Sequence, residues 1–338
     1  LKKALKSFED QQYLPAYVIV VNNASTDTTA QYLQQWQEKD VGFEKIILTM
    51  KSNTGGSGGF YAGIKKAMEQ EADWIWVSDD DAYLKEDALK QASDYLDGRT
   101  DLGEISAICG KVIKNGEMDT NHGKYYYQKG IHICEAFVPA EMYKKKEFEM
   151  GSFTYVGTIM NKKKLQEVGL PNKDYFIYWD DLEHGMRMKK AGKILGVPAI
   201  VAYHEVGKED DSINWKLYYS YRNMIDTYSK HFPGICYDYF CLKIQIKILF
   251  NYLTGKKNLR LTIREEAFKN ARQKKLLSIL NARHNVETGK ELAAKLGVSE
   301  RTVRNDIREI NSKLKQYEIQ ILPQYGKGYT ISVNNREV

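Results

Sequence analysis

Strand-like and helix-like apolar runs alternate through the first 205 residues, and this alternation constrains the chain more than any other feature. A strand that is followed by an amphipathic helix and then by another strand buries its apolar faces best as a βαβ layer, so an α/β architecture with a largely parallel sheet is expected. Strands are predicted over 16–22, 44–49, 74–78 and 194–203. Helices are predicted over 1–12, 26–37, 60–70, 84–95, 158–169, 182–192 and 215–232. Folds of this kind begin with a strand, whereas this chain opens in a helical pattern, so its first strand is expected to be missing and the sequence to be a fragment.

The net charge of +6 is concentrated at one end. Residues 271–338 hold 13 Lys and Arg against 7 Asp and Glu, while residues 1–270 balance at 37 each. An asymmetry of this kind fits an acidic partner for the C-terminal segment, and equally a solvated basic surface. The four cysteines form no CxxC pair, which argues for free thiols in a reducing compartment. No leader pattern opens the chain, and no apolar run reaches the roughly 18–20 residues that span a bilayer. The expected setting is cytoplasmic, with peripheral contact at the inner face of the plasma membrane through the basic amphipathic stretch 235–275. That stretch also reads as a helix packed between domains.

Three polar constellations stand at predicted strand-to-helix junctions. Asp79-Asp80-Asp81 follows the strand 74–78 directly. Clustered carboxylates at the C-terminal edge of an open α/β sheet offer hard oxygen ligands to Mg²⁺ or Mn²⁺, and the same cluster also reads as a helix N-cap. Asn53-Thr-Gly-Gly-Ser-Gly-Gly-Phe60 is a glycine-dense loop opening a helix. Gly55, Gly56, Gly58 and Gly59 would let backbone amides approach an anionic ligand; a plain flexible turn is the alternative. Asp180-Asp181 ends an aromatic run, Tyr175-Phe-Ile-Tyr-Trp179. One carboxylate suits a general base with its neighbour orienting an acceptor, and the pair also reads as a helix cap. His204 closes the last predicted strand, where a satisfied structural histidine is the ordinary outcome.

Taken in order, these residues resemble a known family. Asn22-Asn-Ala-Ser-Thr-Asp27-Thr after a strand, the triplet 79–81, and Trp179-Asp-Asp-Leu-Glu183 with Arg187 look like family-two glycosyltransferases with the GT-A fold. The segment 53–60, Phe176-Ile-Tyr-Trp-Asp-Asp181, His204 and Lys208-Glu-Asp-Asp-Ser-Ile-Asn-Trp215 running into Tyr221-Arg-Asn223 resemble the galactofuranosyltransferases more narrowly. The resemblance covers about residues 1–232. It implies that Asp79, Asp81 and His204 bind Mn²⁺ or Mg²⁺ and that Asp181 is the base. It implies that Asp180 supports sugar or acceptor binding, and that Trp179 and Trp215 wall the sugar pocket. Asn23, Asp27, Asn53, the glycines and Asp80 would lie near a nucleotide-sugar donor, with a UDP-sugar favoured over dTDP-rhamnose. The acceptor implied is a glycan or a lipid-linked glycan. Two departures from the family stand out. The strand and loop that contact the uracil are absent, and Asn22 replaces an aspartate common in relatives.

The C-terminal unit reads helix, helix, turn, helix, hairpin. Thr288 and Glu291 fit a capping box for a helix over 289–296, Gly297 a tight turn, and Ser299 the cap of a third helix through about residue 317. Val303, Ile307, Ile310 and Leu314 form a buried stripe. Arg301, Thr302, Arg304, Asn305 and Arg308 face outward, where such groups reach base edges and phosphates. Strands over 319–322 and 329–333 form a wing with Lys327 in its turn. The unit resembles the winged helix-turn-helix domains of bacterial sugar-operon regulators, which implies DNA as a partner; a winged helix used for protein contacts is the alternative. The fold expected is thus a GT-A, Rossmann-like mixed sheet flanked by helices over 1–234, a connector over 235–270 and a small α+β winged helix-turn-helix domain over 271–338. The function expected is sugar transfer, against a regulator whose degenerate transferase domain senses a nucleotide sugar.

Overall fold

The computed structural model describes residues 1–205, 216–253, 269–280 apart from 274 and 278, 286–314, 319–324 and 328–333. These residues divide into two compact units, one drawn from 1–129 and 133–212, the other from 130–132 and 213–338.

In the first unit the elements run α1 (Lys2–Glu9), β1 (Tyr17–Asn22), α2 (Thr29–Glu38), β2 (Glu44–Thr49), α3 (Gly55–Met68), β3 (Trp74–Val77), β4 (Ala82–Leu84), α4 (Ala88–Leu96) and β5 (Ile105–Lys114). They continue with β6 (Glu117–Met118), β7 (Lys124–Lys129), β8 (His132–Phe137), β9 (Phe148–Met150), β10 (Thr158–Asn161), α5 (Lys162–Val168), α6 (Asp180–Ala191) and β11 (Lys193–His204). The main sheet has the order β3-β10-β5-β11-β4, with β6 on β5 and β9 on β11. Only β5–β11 is parallel within it, and β1–β2 form a separate parallel pair, so the sheet is mixed, as expected for the GT-A fold, and less parallel than the strand–helix alternation alone suggests. β10 runs antiparallel to both its neighbours, β3 and β5, and the helix expected from residue 158 begins only at Lys162. Asn161 ends the strand, and its side chain caps α5 by accepting from Lys163 N and Lys164 N.

β5 lies between β10 and β11, and its first six residues are buried in succession, as expected for a strand covered on both faces. Two apolar clusters cover those faces. Ile64, Phe153, Met160, Leu165 and Met188 pack on one side; Leu84, Ala88, Ile105, Leu195 and Ile200 pack on the other. Between β1 and β3 the layer is interrupted by a cavity of about 980 Å³, lined by both strands, by α1 and by the inner residues of α3.

The second unit contains α7 (Lys216–His231), α8 (Gly234–Leu253), helical residues within 269–280, α9 (Gly289–Leu296), α10 (Glu300–Leu314) and the hairpin β12 (Ile319–Gln324) and β13 (Gly328–Val333). Thr288 and Glu291 form the expected capping box, and Gly297 ends α9 at φ 63°, a left-handed position that favours glycine. Val303, Ile307 and Ile310 pack against Leu276, Leu280, Leu292, Leu296 and Ile321. The side chain of Leu314, and residues 206–215 and 325–327 with Trp215 and Lys327, lie outside the described residues. No described helix is long and apolar enough to cross a membrane.

Candidate active site

The carboxylates converge because two strand ends meet. β3 ends in the turn 79–81, and β4 leaves that turn antiparallel to β11, with Ala82 opposite His204. Glu205 N donates to Asp81 O at 3.2 Å and ties the two chain segments together. His204 Nε2 consequently lies 3.2 Å from Asp81 Oδ1 and 3.9 Å from Asp79 Oδ2, and one ligand atom from each of the three residues falls within 4.8 Å of the others. Burial lowers the His204 pKa, which favours the neutral imidazole that can lend a lone pair. Asp79 is pushed up to about 7 by burial and then by Asp81, Asp80 and Asp180. Crowded negative charge facing a neutral imidazole is the donor set that a hard divalent cation relieves, so these residues fit Mn²⁺ or Mg²⁺.

Asp180 and Asp181 open α6 and belong to the same cluster. Burial lifts Asp180 to about 6; Asp181 is lifted to about 8 by burial, then by Asp180 and by Asp79. The residues before them are not a strand. Phe176, Tyr178 and Trp179 have φ of 67°, 64° and 71°, a left-handed path that non-glycine residues follow at a cost and only where packing enforces it. The enforcing partner is α3. Ser57 N donates to Phe176 O at 3.1 Å, and a Cβ on Gly55, itself at φ 72°, would stand 2.0 Å from that oxygen.

The glycine segment is therefore helix from Gly55 onward, a correction to the loop expected for 53–60. Its residues divide by what they touch. Gly55 is fixed by Phe176, and Gly58 by the Thr54 side chain, whose Oγ1 would meet a Cβ at 2.2 Å. Gly56 and Gly59 line the cavity, together with Asn23, Asp79 and Asp80. The Asn23 amide is engaged at both ends: Nδ2 donates to Gly55 O at 2.8 Å, and Oδ1 accepts from Thr54 N at 3.0 Å. Asn53 Oδ1 accepts from Gly55 N at 2.8 Å. Asp27 is exposed and accepts from Thr29 N at 2.9 Å, just ahead of the first residues of α2.

Glu183 and Arg187, which the sequence motif contains without a role, and His184, which sequence reasoning passed over, hold α6 in place. Glu183 pairs with Arg187 at 2.9 Å, and Arg187 also donates to the carbonyls of Val168, Gly169 and Leu170. His184 is fully buried, and burial lowers it to about 3. As a neutral ring it donates from Nε2 to Gly169 O at 3.1 Å and accepts at Nδ1 from the Tyr155 hydroxyl at 2.7 Å. Besides the motif resemblance, the i, i+4 spacing of Glu183 and Arg187 was the signal for this scaffold, and nothing in the sequence marked His184.

In the second unit Arg301, Arg304, Asn305 and Arg308 are exposed on α10. Thr302 is half-buried, with its hydroxyl 2.9 Å from Ser299 Oγ and its N–H donating to that oxygen, so it takes part in the helix cap. Asp306 is turned inward and receives Arg272 at two oxygens, 2.6 and 2.8 Å away.

Residues 1–167 match the family model described as glycosyl transferase family 2, and residues 272–330 match that of an HTH domain. Galactofuranosyltransferase GlfT1 of Mycobacterium tuberculosis is 24% identical over 213 residues, 62% of this chain and 67% of that protein. The dTDP-rhamnosyl transferase RfbF of Shigella flexneri is also 24% identical, over 208 residues, 58% of this chain and 62% of its own length. The crystal structure of GalNAc-T7 with UDP, GalNAc and Mn²⁺ shares the fold at a TM-score of 0.50 and 10% identity, over 78% of this chain and 51% of that one. The chain thus carries a family-two glycosyltransferase domain with the GT-A fold and, at its C-terminus, a helix-turn-helix domain.

Proposed function

We propose that this chain is an inverting, metal-dependent transferase that moves a sugar from a nucleoside diphosphate donor to a glycan or lipid-linked glycan acceptor. The observation that carries this reading is the meeting of Asp79, Asp81 and His204 in one ligand set, with Asp180 and Asp181 electrostatically coupled to it. Asp79, Asp81 and His204 hold Mn²⁺ or Mg²⁺. Once bound, the ion neutralises charge on the departing diphosphate. Asp181 takes the acceptor hydroxyl proton as the new glycosidic bond forms on the opposite face of the anomeric carbon from the leaving group. Asp180, beside it, orients the acceptor. Asn23 and Asn53 shape the N-terminus of α3, where Gly56, Gly59 and Asp80 border the donor cavity. Asp27 belongs to the same nucleotide side.

UDP-galactofuranose is the donor we favour, on the two motifs at 53–60 and 176–181 and the likeness to galactofuranosyltransferases. dTDP-rhamnose is the competitor, supported by equal identity to a rhamnosyl transferase. We assign the transferase to 1–234, a connector to 235–270 and a winged helix-turn-helix domain to 271–338, the last binding DNA through Arg301, Arg304, Asn305, Arg308 and the wing residue Lys327. Ile235, Leu242 and Ile246 are exposed on α8 and support peripheral contact with a membrane. Turnover of a panel of nucleotide sugars with Mn²⁺ tests the whole reading. UDP-galactofuranose should be consumed fastest, and no turnover of any donor would overturn it.

A second reading rests on the arginine face of α10: a regulator that senses a nucleotide sugar without transferring it. DNA gel shifts that respond to a nucleotide sugar, in a protein with no transfer activity, would establish that reading over the first.

A further inference from the structure

The turn Asp119–His122 lies beside the proposed metal ligands and has no part in the transfer chemistry proposed so far. Asp119 N donates to Val112 O at 2.9 Å, which fastens the turn to β5. Val112 pairs with Ala202 and Lys114 with His204, so the turn sits against the end of β11 that carries the histidine. Asp119 divides its carboxylate between two tasks. Oδ1 accepts from Asn121 N at 2.9 Å and from Asn121 Nδ2 at 2.8 Å, closing the turn. Oδ2 faces His122 Nε2 at 3.3 Å. The other ring nitrogen of His122, Nδ1, meets the Thr154 hydroxyl. With both nitrogens engaged, His122 has no lone pair to offer an ion. What it offers is a fixed ring: the His122 and His204 rings stand edge to face, 5.9 Å between centroids at 61°.

We propose that Asp119 and His122 form a positioning pair that holds the His204 imidazole with Nε2 turned toward Asp79 and Asp81. The proposal rests on the metal reading of those three residues. A lone imidazole at a strand end turns about its χ2 torsion, a broad, weakly restrained rotation. A ring clamped by a carboxylate and a hydroxyl walls off that rotation; hydrogen-bonded partners of metal ligands typically carry about 10- to 100-fold of metal affinity, and a ring contact without a hydrogen bond is placed at the lower end of that range.

The test measures Mn²⁺ alone, by the paramagnetic resonance of the free ion, in the full chain and in H204A, H122A and D119N, with the melting temperature of each in EDTA. D119N keeps an oxygen for Asn121 and replaces the one facing His122 with an amide, so it loosens His122 while sparing the turn. The expected result is a fall in Mn²⁺ affinity of about tenfold in H122A, a smaller fall in D119N and the largest in H204A, with the EDTA melting temperature of D119N close to wild type. Wild-type affinity in both H122A and D119N, with H204A impaired, would overturn the positioning role alone. A loss in both that is matched by a lowered EDTA melting temperature would mark a merely structural turn and overturn it as well. Equal Mn²⁺ affinity in wild type and H204A would overturn the metal reading, and this proposal with it.

Discussion

His204 Nε2 stands 3.2 Å from Asp81 Oδ1 although 123 residues separate them along the chain. The antiparallel ladder of β4 and β11 makes that contact, and it places one neutral nitrogen among carboxylates that otherwise repel one another. Much of what this domain is expected to do follows from that repulsion.

The metal-free domain should lose stability as pH rises. Asp180, Asp79 and Asp181 are raised from an ordinary 3.8 to about 6, 7 and 8. A raised carboxyl holds its proton in the folded state after the unfolded chain has released it, so its contribution is complete below about pH 4 and lost as pH climbs through 6 to 8. Thermal melts in EDTA should show a lower midpoint at pH 8.5 than at pH 5.5, and added Mn²⁺ should recover more at the higher pH. A midpoint that rises over this interval would contradict the electrostatic account.

Asp79→Asn removes one of the crowded charges. Without metal, this variant should melt above the wild type at pH 8.5 and close to it at pH 5.5, while its affinity for Mn²⁺ falls. A variant less stable than wild type at pH 8.5 would mean that Asp79 is held by favourable contacts, contrary to its raised pKa.

Asp181→Asn should lower kcat for transfer by about 10²–10⁴-fold, the usual contribution of a positioned base, with little change in donor KM. Steady-state kinetics with saturating Mn²⁺ measures this. Wild-type kcat would remove Asp181 from the base role.

Gly55→Ala drives a methyl group into the Phe176 carbonyl, at a left-handed position. The backbone term alone costs about 1–2 kcal/mol, and relief of the overlap must shift the 176–179 path that leads into Asp180. Denaturant unfolding should show that loss, and transfer should fall with it. Retained stability would mean that the α3 N-terminus and the 176–179 segment pack differently.

On α10, Arg304→Ala and Arg308→Ala should each weaken duplex DNA binding and lower the slope of log K against log salt by about 0.9 for every DNA phosphate left without its arginine. Fluorescence anisotropy over a salt series reads both quantities. An unchanged slope would assign that face to a protein partner.

The legible parts of the fold were those where a local pattern and its tertiary setting agree. The strand at 44–49 and the helix at 289–296 appear with the limits read from sequence, one a short apolar run, the other bounded by a capping box and a glycine. The segment 53–60 misled because four glycines disfavour helix locally, while Phe176 and Asn23 make the close approach of a bare backbone worth more. The path through Phe176, Tyr178 and Trp179 was not legible, since nothing in an aromatic run announces positive φ. β5 and the Asp119–His122 turn went unread for a related reason. A strand buried on both faces shows no alternation, and a histidine clamped between its own turn and the distant Thr154 shows no telling spacing. The acidic triplet and the pair at 180–181 were legible because charge at a strand or helix end is visible without knowing the neighbours; the partnership with His204 came only from the family resemblance, and the β4–β11 ladder supplies its physical reason.

The most direct test is the anomalous diffraction of Mn²⁺ in crystals of the full chain grown with UDP. The account requires one strong peak bounded by Asp79, Asp81 and His204, on the side facing Asp180 and Asp181. A peak elsewhere, or none there at saturating Mn²⁺, would contradict it.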